Sequence, residues 1–347
     1  MSPYALSILL SSLSMGTTLT FISNHWFLAW MGLEINTLAI IPLMTKLHHP
    51  RAIEAATKYF LIQASASALI LFSSTINAWF TGEWTIMNMQ THLPSIMLTI
   101  ALAMKLGIAP FHLWMPDVLQ GLSLMTCLIL STWQKLAPMA LLIMTHQALN
   151  SSMLIFMALL STLIGGWGGL NQTQLRKIMA YSSIAHMGWM TLVLTFSPHL
   201  MMLNLSIYLI MTLCMFMMLM HFNSLNINKL TMSWVKNPVL TSMMMITLMS
   251  LGGLPPISGF IPKWLILQEI TKQGLMTLAS FMALSALLSL FFYLRLSYAV
   301  SLTTSPNVPN SKLYWRFKNY APNPLPLTIT LSTMLLPITP LMINLFI

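Results

Sequence analysis

Apolar residues in this chain form long runs that are separated by short polar segments. A helix needs roughly 20 apolar residues to cross about 30 Å of hydrocarbon. Eleven runs have about this length, at residues 3–22, 25–45, 56–80, 95–121, 122–146, 152–170, 178–197, 200–222, 238–271, 275–300 and 324–347. The pattern therefore predicts an all-α polytopic membrane protein with about 11 transmembrane helices.

Composition excludes other classes of protein. Hydrophobic residues make up 57% of the chain and charged residues 6%, whereas a soluble domain carries roughly 25% charged residues. Two cysteines, Cys127 and Cys214, are too few for a disulfide scaffold. The net charge of +10 is spread between apolar runs without a Lys/Arg cluster, so we expect no nucleic-acid partner.

The charges of the loops predict the orientation. Loops after odd-numbered spans hold Lys272 alone. Loops after even-numbered spans hold ten basic residues: Lys46, Arg51, Lys58, Arg176, Lys177, Lys229, Lys236, Lys312, Arg316 and Lys318. Because basic loops stay on the non-translocated side, we expect the N-terminus on that side and the C-terminus on the opposite side.

Spans four and nine are too long for one straight helix. As helices, residues 95–121 would reach about 40 Å and residues 238–271 about 50 Å. Both contain the pattern Leu-Gly-x-x-Pro, which ends at Pro110 and at Pro255. We expect both prolines to end helical segments within a few residues, although proline kinks are also tolerated as ordinary features of membrane helices.

The matching breaks lie five spans apart, and this spacing predicts an internal repeat. Five is odd, so the second copy must be inverted in the membrane, as in transporters with paired broken helices. We expect a first five-helix repeat over residues 1–146, a second over 152–300, and a terminal helix over 324–347 within a single membrane domain.

Four ionisable residues lie near span centres or beside the breaks: Glu34, Lys105, Lys135 and Lys263. Each charge costs about 2.5–3.5 kcal/mol at the bilayer midplane. Glu34 can satisfy one lysine, and burial disfavours the charged form of the others. The set predicts a proton relay with electrostatic gating, and the alternative for each residue is a structural pair or a snorkelling side chain.

His112, at the first break, and His186, in span seven, are further candidates for the relay because histidine titrates near neutral pH. The alternative is a hydrogen-bonded packing histidine. The Gly165–Gly169 segment fits a helix-packing motif and not a dinucleotide site. Histidine and cysteine show no metal-ligand spacing, so we expect no metal and no cofactor in this chain.

Several segments together resemble the NADH–ubiquinone oxidoreductase chain 2 family, most closely its vertebrate mitochondrial form. The resemblance covers essentially the whole chain, and residues 301–347 are the least diagnostic. The segments that carry it are Asn24-His25-Trp26, Gly32-Leu33-Glu34-Ile35-Asn36, His49-Pro50-Arg51-Ala52, Lys105-Leu106-Gly107 with Pro110-Phe111-His112, Asn171 to Ser183, and Gly252-Gly253-Leu254-Pro255-Pro256 with Gly259-Phe260.

The resemblance implies an antiporter-like, proton-translocating subunit in the membrane arm of respiratory complex I. It implies that Glu34 is the acid paired with Lys105, that Lys135 is the central relay lysine and that Lys263 is the exit lysine. Such a pair requires spans two and four to be neighbours. The implied fold is two inverted five-helix repeats plus a terminal helix, without the three extra N-terminal helices of longer bacterial relatives.

The resemblance also implies where the other components are. NADH, FMN, iron–sulfur clusters and ubiquinone are expected in partner subunits of the NADH:ubiquinone reductase. Other membrane-arm and accessory subunits are the expected partners, together with lipids, among which cardiolipin is a candidate. The implied location is the mitochondrial inner membrane, with the N-terminus in the matrix and the C-terminus on the intermembrane side.

Two alternatives stay open from the sequence. A self-contained cation/proton antiporter would have similar helices, and exchange by the reconstituted isolated chain would support it. A structural spacer within a large membrane complex would use the buried lysines only to hold helices together.

Overall fold

The computed structural model describes residues 2–46, 48–89, 91–303 and 324–346. Helices account for nearly all of the regular structure, and these residues form no strand beyond the isolated bridges His25–Thr85 and Gln174–Asn226. The first eight helices are α1 (Pro3–Ile22), α2 (Trp26–Met44), α3 (Pro50–Thr81), α4 (His92–Leu106), α5 (Trp114–Gly121), α6 (Leu124–Ser131), α7 (Trp133–Met144) and α8 (Ser151–Gly169).

The remaining helices follow the same pattern of long apolar elements and short connecting turns. They are α9 (Leu175–Leu194), α10 (Pro198–Phe222), α11 (Ile227–Thr231), α12 (Ser233–Lys236), α13 (Pro238–Gly252), α14 (Phe260–Lys272), α15 (Met276–Leu302) and α16 (Leu325–Phe346). Each predicted span coincides with one of these helices or with a consecutive pair. The predicted all-α membrane architecture is therefore confirmed.

Eight spans in the described residues are long and apolar enough to cross a membrane, and α6 with α7 counts as one of them. Helix α9 is not among the eight, although it has 20 residues. It carries Ser182, Ser183 and His186, and most of its residues are buried within the protein. A helix that is surrounded by other helices can carry such polar groups because they find partners inside the protein.

Helix α3 begins earlier than the apolar run predicted. Pro50 occupies its first turn, and the side chain of His49 accepts a hydrogen bond from the backbone amide of Arg51. Both features favour a helix start. Arg51 and Lys58 therefore lie on a helix and not in the loop that the sequence predicted. Three other basic residues assigned to a loop lie outside the described residues: Lys312, Arg316 and Lys318.

Both predicted breaks are present. Helix α4 ends at Leu106 and α5 begins at Trp114, while α13 ends at Gly252 and α14 begins at Phe260. A third interruption was not predicted: span five is divided into α6 and α7 at Thr132, whose φ and ψ are −110° and −69°. Pro138, inside α7, has no amide hydrogen to donate to the carbonyl of Gln134.

The chain divides into two compact units, Met1–Ser161 and Thr162–Ile347. In the first unit, α3 packs against α2, α4 and α5, and α7 packs against α1, α2 and α4. In the second unit, α10 packs against α9, α13, α14 and α16, and α15 packs against α9, α13 and α14. The predicted inverted repeats, with their boundaries at 146, 152 and 300, remain a prediction.

Helices α1 and α2 approach closely where Gly16 faces Gly32. A Cβ atom on Gly16 would lie 2.4 Å from Oδ1 of Asn36 and 2.8 Å from the carbonyl oxygen of Gly32. Small residues of this kind let two membrane helices bring their backbones together.

Gly16→Ala is expected to destabilise the protein, because the added methyl group forces α1 away from α2. Overpacking of this kind costs about 1–3 kcal/mol. The thermal unfolding midpoint of the protein in mild detergent measures the effect. Ser11→Ala, on the exposed side of the same helix, is the control, and equal midpoints for the two variants would contradict the close approach.

Candidate functional site

Each of the two broken spans ends its first helix with the same backbone motif. Gly107 has a φ of 73° and Gly253 a φ of 83°. The amides of Gly107 and Ile108 bond to the carbonyls of Met104 and Ala103 at 3.3 and 3.0 Å. Those of Gly253 and Leu254 bond to Ser250 and Met249 at 2.9 and 3.3 Å. This is the Schellman arrangement, in which a left-handed glycine ends a helix.

The glycines, not the prolines, thus fix the ends of α4 and α13. The sequence pattern aligned Gly107 with Gly252, whereas the structure places the left-handed residue at Gly253. Trp114 covers the first break, since a Cβ on Gly107 would lie 3.3 Å from its ring.

Three of the predicted relay residues are buried lysines. Lys105, Lys135 and Lys263 are 6%, 4% and 9% exposed. Lys105 lies in the last turn of α4, Lys135 in the first turn of α7 directly after the Thr132 interruption, and Lys263 in the first turn of α14. Every one of them therefore stands beside an interruption of a membrane helix.

The first unit brings Lys105 and Lys135 to one cavity. Its volume is about 20 Å³, counted as the space open to the centre of a water molecule. One water needs roughly 10–15 Å³ on that measure. Five further polar residues line it, two on α2, two on α3 and one on α7: Asn36, Thr37, Tyr59, Gln63 and Gln134.

Backbone and side-chain hydrogen bonds hold these walls in place. The amide of Gln63 donates to the carbonyl of Lys105 at 3.4 Å, and that of Gln134 donates to the carbonyl of Asn36 at 3.3 Å. The ring of Tyr59 stands edge-on to that of Trp114, with 5.7 Å between centroids. The amino group of Lys105 itself has no hydrogen-bond partner in the described part of the chain.

Glu34 lies on α2 near this cavity, and its side chain is partly buried. Its Oε2 accepts a hydrogen bond from the hydroxyl of Thr37 at 3.1 Å. Glu34 and Lys105 form no direct ion pair within 4.0 Å. The ion pairs among the described residues are Lys58–Glu54, Lys58–Asp117 and Lys272–Glu269. The Glu34 charge nevertheless acts electrostatically on Lys105 and on Tyr59.

Helices α2 and α4 both contribute to the cavity wall, as the predicted pairing of Glu34 with Lys105 requires. Whether the two groups act as a pair in the working protein stays a prediction.

The second unit holds Lys263 against a helix end. Its Nζ donates to the carbonyl of Gly252, the last residue of α13, at 2.8 Å. The C-terminal end of a helix carries a partial negative charge that favours a cation. Lys263 and His186 line a cavity of about 10 Å³, and the ring of His186 lies 5.4 Å from that of Tyr208.

His112 is buried in the segment between α4 and α5. Its Nδ1 lies 3.2 Å from the carbonyl oxygen of Pro110. The walls of the Lys105–Lys135 cavity do not include it. The structure therefore brings His186, and not His112, into a shared cavity with a predicted lysine.

Sequence reasoning missed most of the polar wall. Asn36, Thr37, Tyr59 and Gln63 each lie within a few turns of a span centre in an otherwise apolar run, and a search for uncharged polar residues at those positions would have found them. In the second unit the same search would have found Tyr208.

Arg295, in span ten, is not among the residues predicted from the sequence. Its guanidinium donates to the carbonyls of Leu170 and Gln172, just beyond the end of α8. Bonds to carbonyls after a helix end are typical of a structural cap, which makes Arg295 a support of the second unit and not a relay residue. Among the residues that the structure describes, no group of three or more His, Cys, Asp or Glu side chains could hold a metal ion.

Buried lysines that stand at helix breaks beside water-sized cavities define the class of an ion-translocating, antiporter-like membrane subunit. A family described as "NADH:quinone oxidoreductase/Mrp antiporter, TM" matches residues 23–289, and one described as "NADH dehydrogenase subunit 2 C-terminus" matches residues 290–343. The structure is similar to a chain of respiratory complex I from Thermus thermophilus, with a TM-score of 0.87 and 26% identity, covering 99% of this chain and 80% of that one.

A chain of the Mrp complex from Dietzia is also similar, with a TM-score of 0.80, 16% identity and coverage of 97% and 76%, which shows the fold alone. The NADH-ubiquinone oxidoreductase chain 2 of Squalus acanthias is 60% identical over 98% of each chain. The chain therefore belongs to the NADH-ubiquinone oxidoreductase chain 2 family. It is an antiporter-like, proton-translocating subunit of the membrane arm of respiratory complex I.

Gly253→Ala is expected to displace the amino group of Lys263, because the new Cβ would lie 2.9 Å from Nζ. Gly82→Ala is a matched control with a φ of 74° and no atom within 4 Å of its Cβ. Both variants bear the left-handed strain of about 1–2 kcal/mol. We expect Gly253→Ala alone to lower NADH-driven proton translocation by the assembled complex.

The comparison uses translocation measured per electron, with complex assembly checked on native gels. Equal translocation by the Gly253 and Gly82 variants would show that the position of the Lys263 side chain does not require a glycine at residue 253.

Proposed function

We propose that this chain carries protons along Glu34, Lys105, Lys135 and Lys263, driven by electron transfer from NADH to ubiquinone in partner subunits. The observation that carries the proposal is the cavity of about 20 Å³ that Lys105 and Lys135 share. Two buried amino groups that face one small polar space have the arrangement needed to pass a proton between them.

Electrostatics supplies the gating. Two unit charges about 7 Å apart at an effective dielectric constant of about 20 interact by about 2.4 kcal/mol. A proton on one lysine therefore opposes a proton on the other, while the negative charge of Glu34 favours a proton on Lys105. When Glu34 is neutralised, Lys105 releases its proton toward Lys135.

Lys263 serves as the exit group in the second unit. While it is charged, its bond to the carbonyl of Gly252 is charge-assisted, and the end of α13 adds a favourable field. His186 lines the same cavity and is the proposed acceptor or donor for this lysine. His112, next to the first break, is proposed as a second, peripheral proton carrier.

The redox chemistry is assigned to other chains. We propose that NADH, FMN, the iron–sulfur clusters and ubiquinone bind partner subunits, so that this chain contributes proton movement alone. Its other contacts are membrane-arm and accessory subunits and lipids. Cardiolipin is the proposed lipid, because basic residues are exposed near the connection between α2 and α3. Lys46 lies between the two helices, and Arg51 lies in the first turn of α3.

The proposed location is the mitochondrial inner membrane, with the N-terminus in the matrix and the C-terminus on the intermembrane side. The asymmetry of basic residues between alternate loops supports this orientation. Sequence identity of 60% to a complex I subunit favours this function over a self-contained antiporter.

Lys135→Met is expected to leave assembly intact and to reduce the number of protons moved per electron, because methionine keeps the length of the side chain without its charge. Lys135→Arg should also impair translocation, since arginine does not release its proton at these pH values. The measurement is NADH-driven acidification by proteoliposomes that contain the whole complex.

Lys272→Met is the control, because Lys272 is exposed and pairs with Glu269 at 3.6 Å. An assembled Lys135→Met complex that moves as many protons per electron as this control would remove Lys135 from the relay and favour the structural-spacer alternative.

A further inference from the structure

The terminal helix α16 buries one narrow stripe of its surface. The buried side chains recur at intervals of three and four residues, which places them on one side of a helix: Leu325, Thr328, Ser332, Leu335 and Thr339. Helix α16 packs against α10 and α13. Three members of the stripe carry hydroxyl groups, and hydroxyls on the buried side of a membrane helix typically form hydrogen bonds to other helices.

Ser332, in the middle of this stripe, connects α16 to two other parts of the second unit. Its hydroxyl lies 3.4 Å from the Sγ atom of Cys214 on α10. Its backbone carbonyl accepts a hydrogen bond of 2.8 Å from the hydroxyl of Ser258. Ser258 is fully buried and lies between α13 and α14. The terminal helix is therefore joined directly to the second helix break.

The segment between α13 and α14 contains two residues that cannot donate backbone hydrogen bonds. Pro255 and Pro256 have no amide hydrogen, and both are exposed. Within the segment, the amide of Ile257 bonds to the carbonyl of Leu254 at 3.1 Å. The bond from Ser258 spans 74 residues of the chain and ties the segment to a separate helix.

The bond of Ser258 differs from those of other buried serines in the second unit. Ser285 and Ser289 donate to carbonyls three residues earlier in their own helix, which is the usual local arrangement. Such local bonds satisfy a hydroxyl without holding two elements together. The hydroxyl of Ser258, in contrast, fixes one element against another.

The position of this segment determines the surroundings of Lys263. Gly259 follows Ser258 directly and lines the same cavity as Lys263. A Cβ atom on Gly259 would overlap the carbonyl oxygen of Ser250, so the segment lies tightly against α13. Lys263 lies one helical turn after Gly259 and bonds to the carbonyl of Gly252 at 2.8 Å. A displacement of Ser258 would therefore change both the cavity and the distance from Lys263 to the end of α13.

We propose that α16 braces the second helix break, and that Ser258 is a positioning residue for Lys263. The hydrogen bond from Ser258 to the carbonyl of Ser332 fixes residues 253–259 against α16, and these residues in turn hold Lys263 at the end of α13. The inference rests on the proposed function, because it gives the brace a role at the proposed proton exit.

The first experiment is Ser258→Ala in the assembled complex. Alanine keeps the small side chain and removes the hydroxyl, so the segment loses its bond to α16. A hydrogen bond of this kind shifts an equilibrium by roughly fivefold. We expect NADH oxidation to continue and the number of protons moved per electron to fall, by less than in Lys263→Met.

Two alanine variants are the controls. Ser285→Ala removes another buried hydroxyl of the same unit, one that bonds within its own helix. Ser332→Ala removes the contact with Cys214 and keeps the backbone carbonyl that Ser258 requires. Both should translocate as the unaltered protein does. Equal translocation by Ser258→Ala and Ser285→Ala, or equal losses in Ser258→Ala and Ser332→Ala, would overturn the brace.

The double variant Ser258→Ala with Lys263→Met separates positioning from general support. If Ser258 acts through Lys263, the double variant should move as many protons per electron as Lys263→Met alone. A serine that only supports the fold would lower the thermal unfolding midpoint and add its own loss of translocation. Additive losses in the double variant would overturn the positioning role.

A high-resolution map of the complex observes the position of Lys263 directly. In Ser258→Ala we expect the distance from Nζ of Lys263 to the carbonyl oxygen of Gly252 to exceed the 2.8 Å of the unaltered protein. In Ser285→Ala it should be unchanged. A Lys263 that keeps this bond in Ser258→Ala would overturn the proposal.

The brace and the proposed function can fail separately. Full translocation by Lys263→Met would end the exit role of this lysine, while the map would still decide whether Ser258 positions its side chain. Impaired translocation by Lys263→Met combined with normal translocation by Ser258→Ala would end the brace alone.

Discussion

This membrane protein must hold ammonium groups in an interior of low dielectric constant, where an unpaired charge is costly. The chain has 15 basic and 5 acidic residues, so carboxylates cannot neutralise its cations. Carbonyls at and beyond helix ends replace them: Lys263 bonds to the last carbonyl of α13, and Arg295 to carbonyls beyond α8. Carbonyls at a helix C-terminus have no partner inside the helix and carry partial negative charge. The interruption after α13 thus supplies an acceptor for the Lys263 cation.

The broken helices follow from this constraint. A continuous helix would satisfy all of its own carbonyls and would leave none for Lys263. The Schellman turns at Gly107 and Gly253 close part of each helix end and expose the rest. The buried charge of Lys105 is stabilised in a different way, because this lysine lines a small polar cavity and lies within the field of the Glu34 charge. One lysine is therefore held by a fixed dipole, and the other lies near an acid that is able to change its charge, which is consistent with the exit and gate roles proposed for them.

The sequence predicts correctly those features that depend on the residues of a single helix. The lengths of the apolar runs, the glycine and proline at each break, and the ionisable residues in apolar surroundings are properties of single segments. Prediction failed at the Thr132 interruption, where no glycine marks the change and Pro138 lies six residues later. It also placed Lys58 in a loop, because a polar helical extension beyond the membrane resembles a loop in hydropathy.

The pattern of residues along the chain already indicates the membrane class, the spans, the two breaks and the presence of Glu34 and three lysines in or beside them. Helix packing, which this pattern does not predict, brings Lys105 and Lys135 to one cavity, places Thr37 and not Lys105 against Glu34, and leaves His112 outside the cavity wall. The reason is that several spans are apolar on nearly every face, so their sequences do not indicate which face meets a neighbour. Packing of small residues such as Gly16 against Gly32 fixes those faces, and with them the positions of the polar groups.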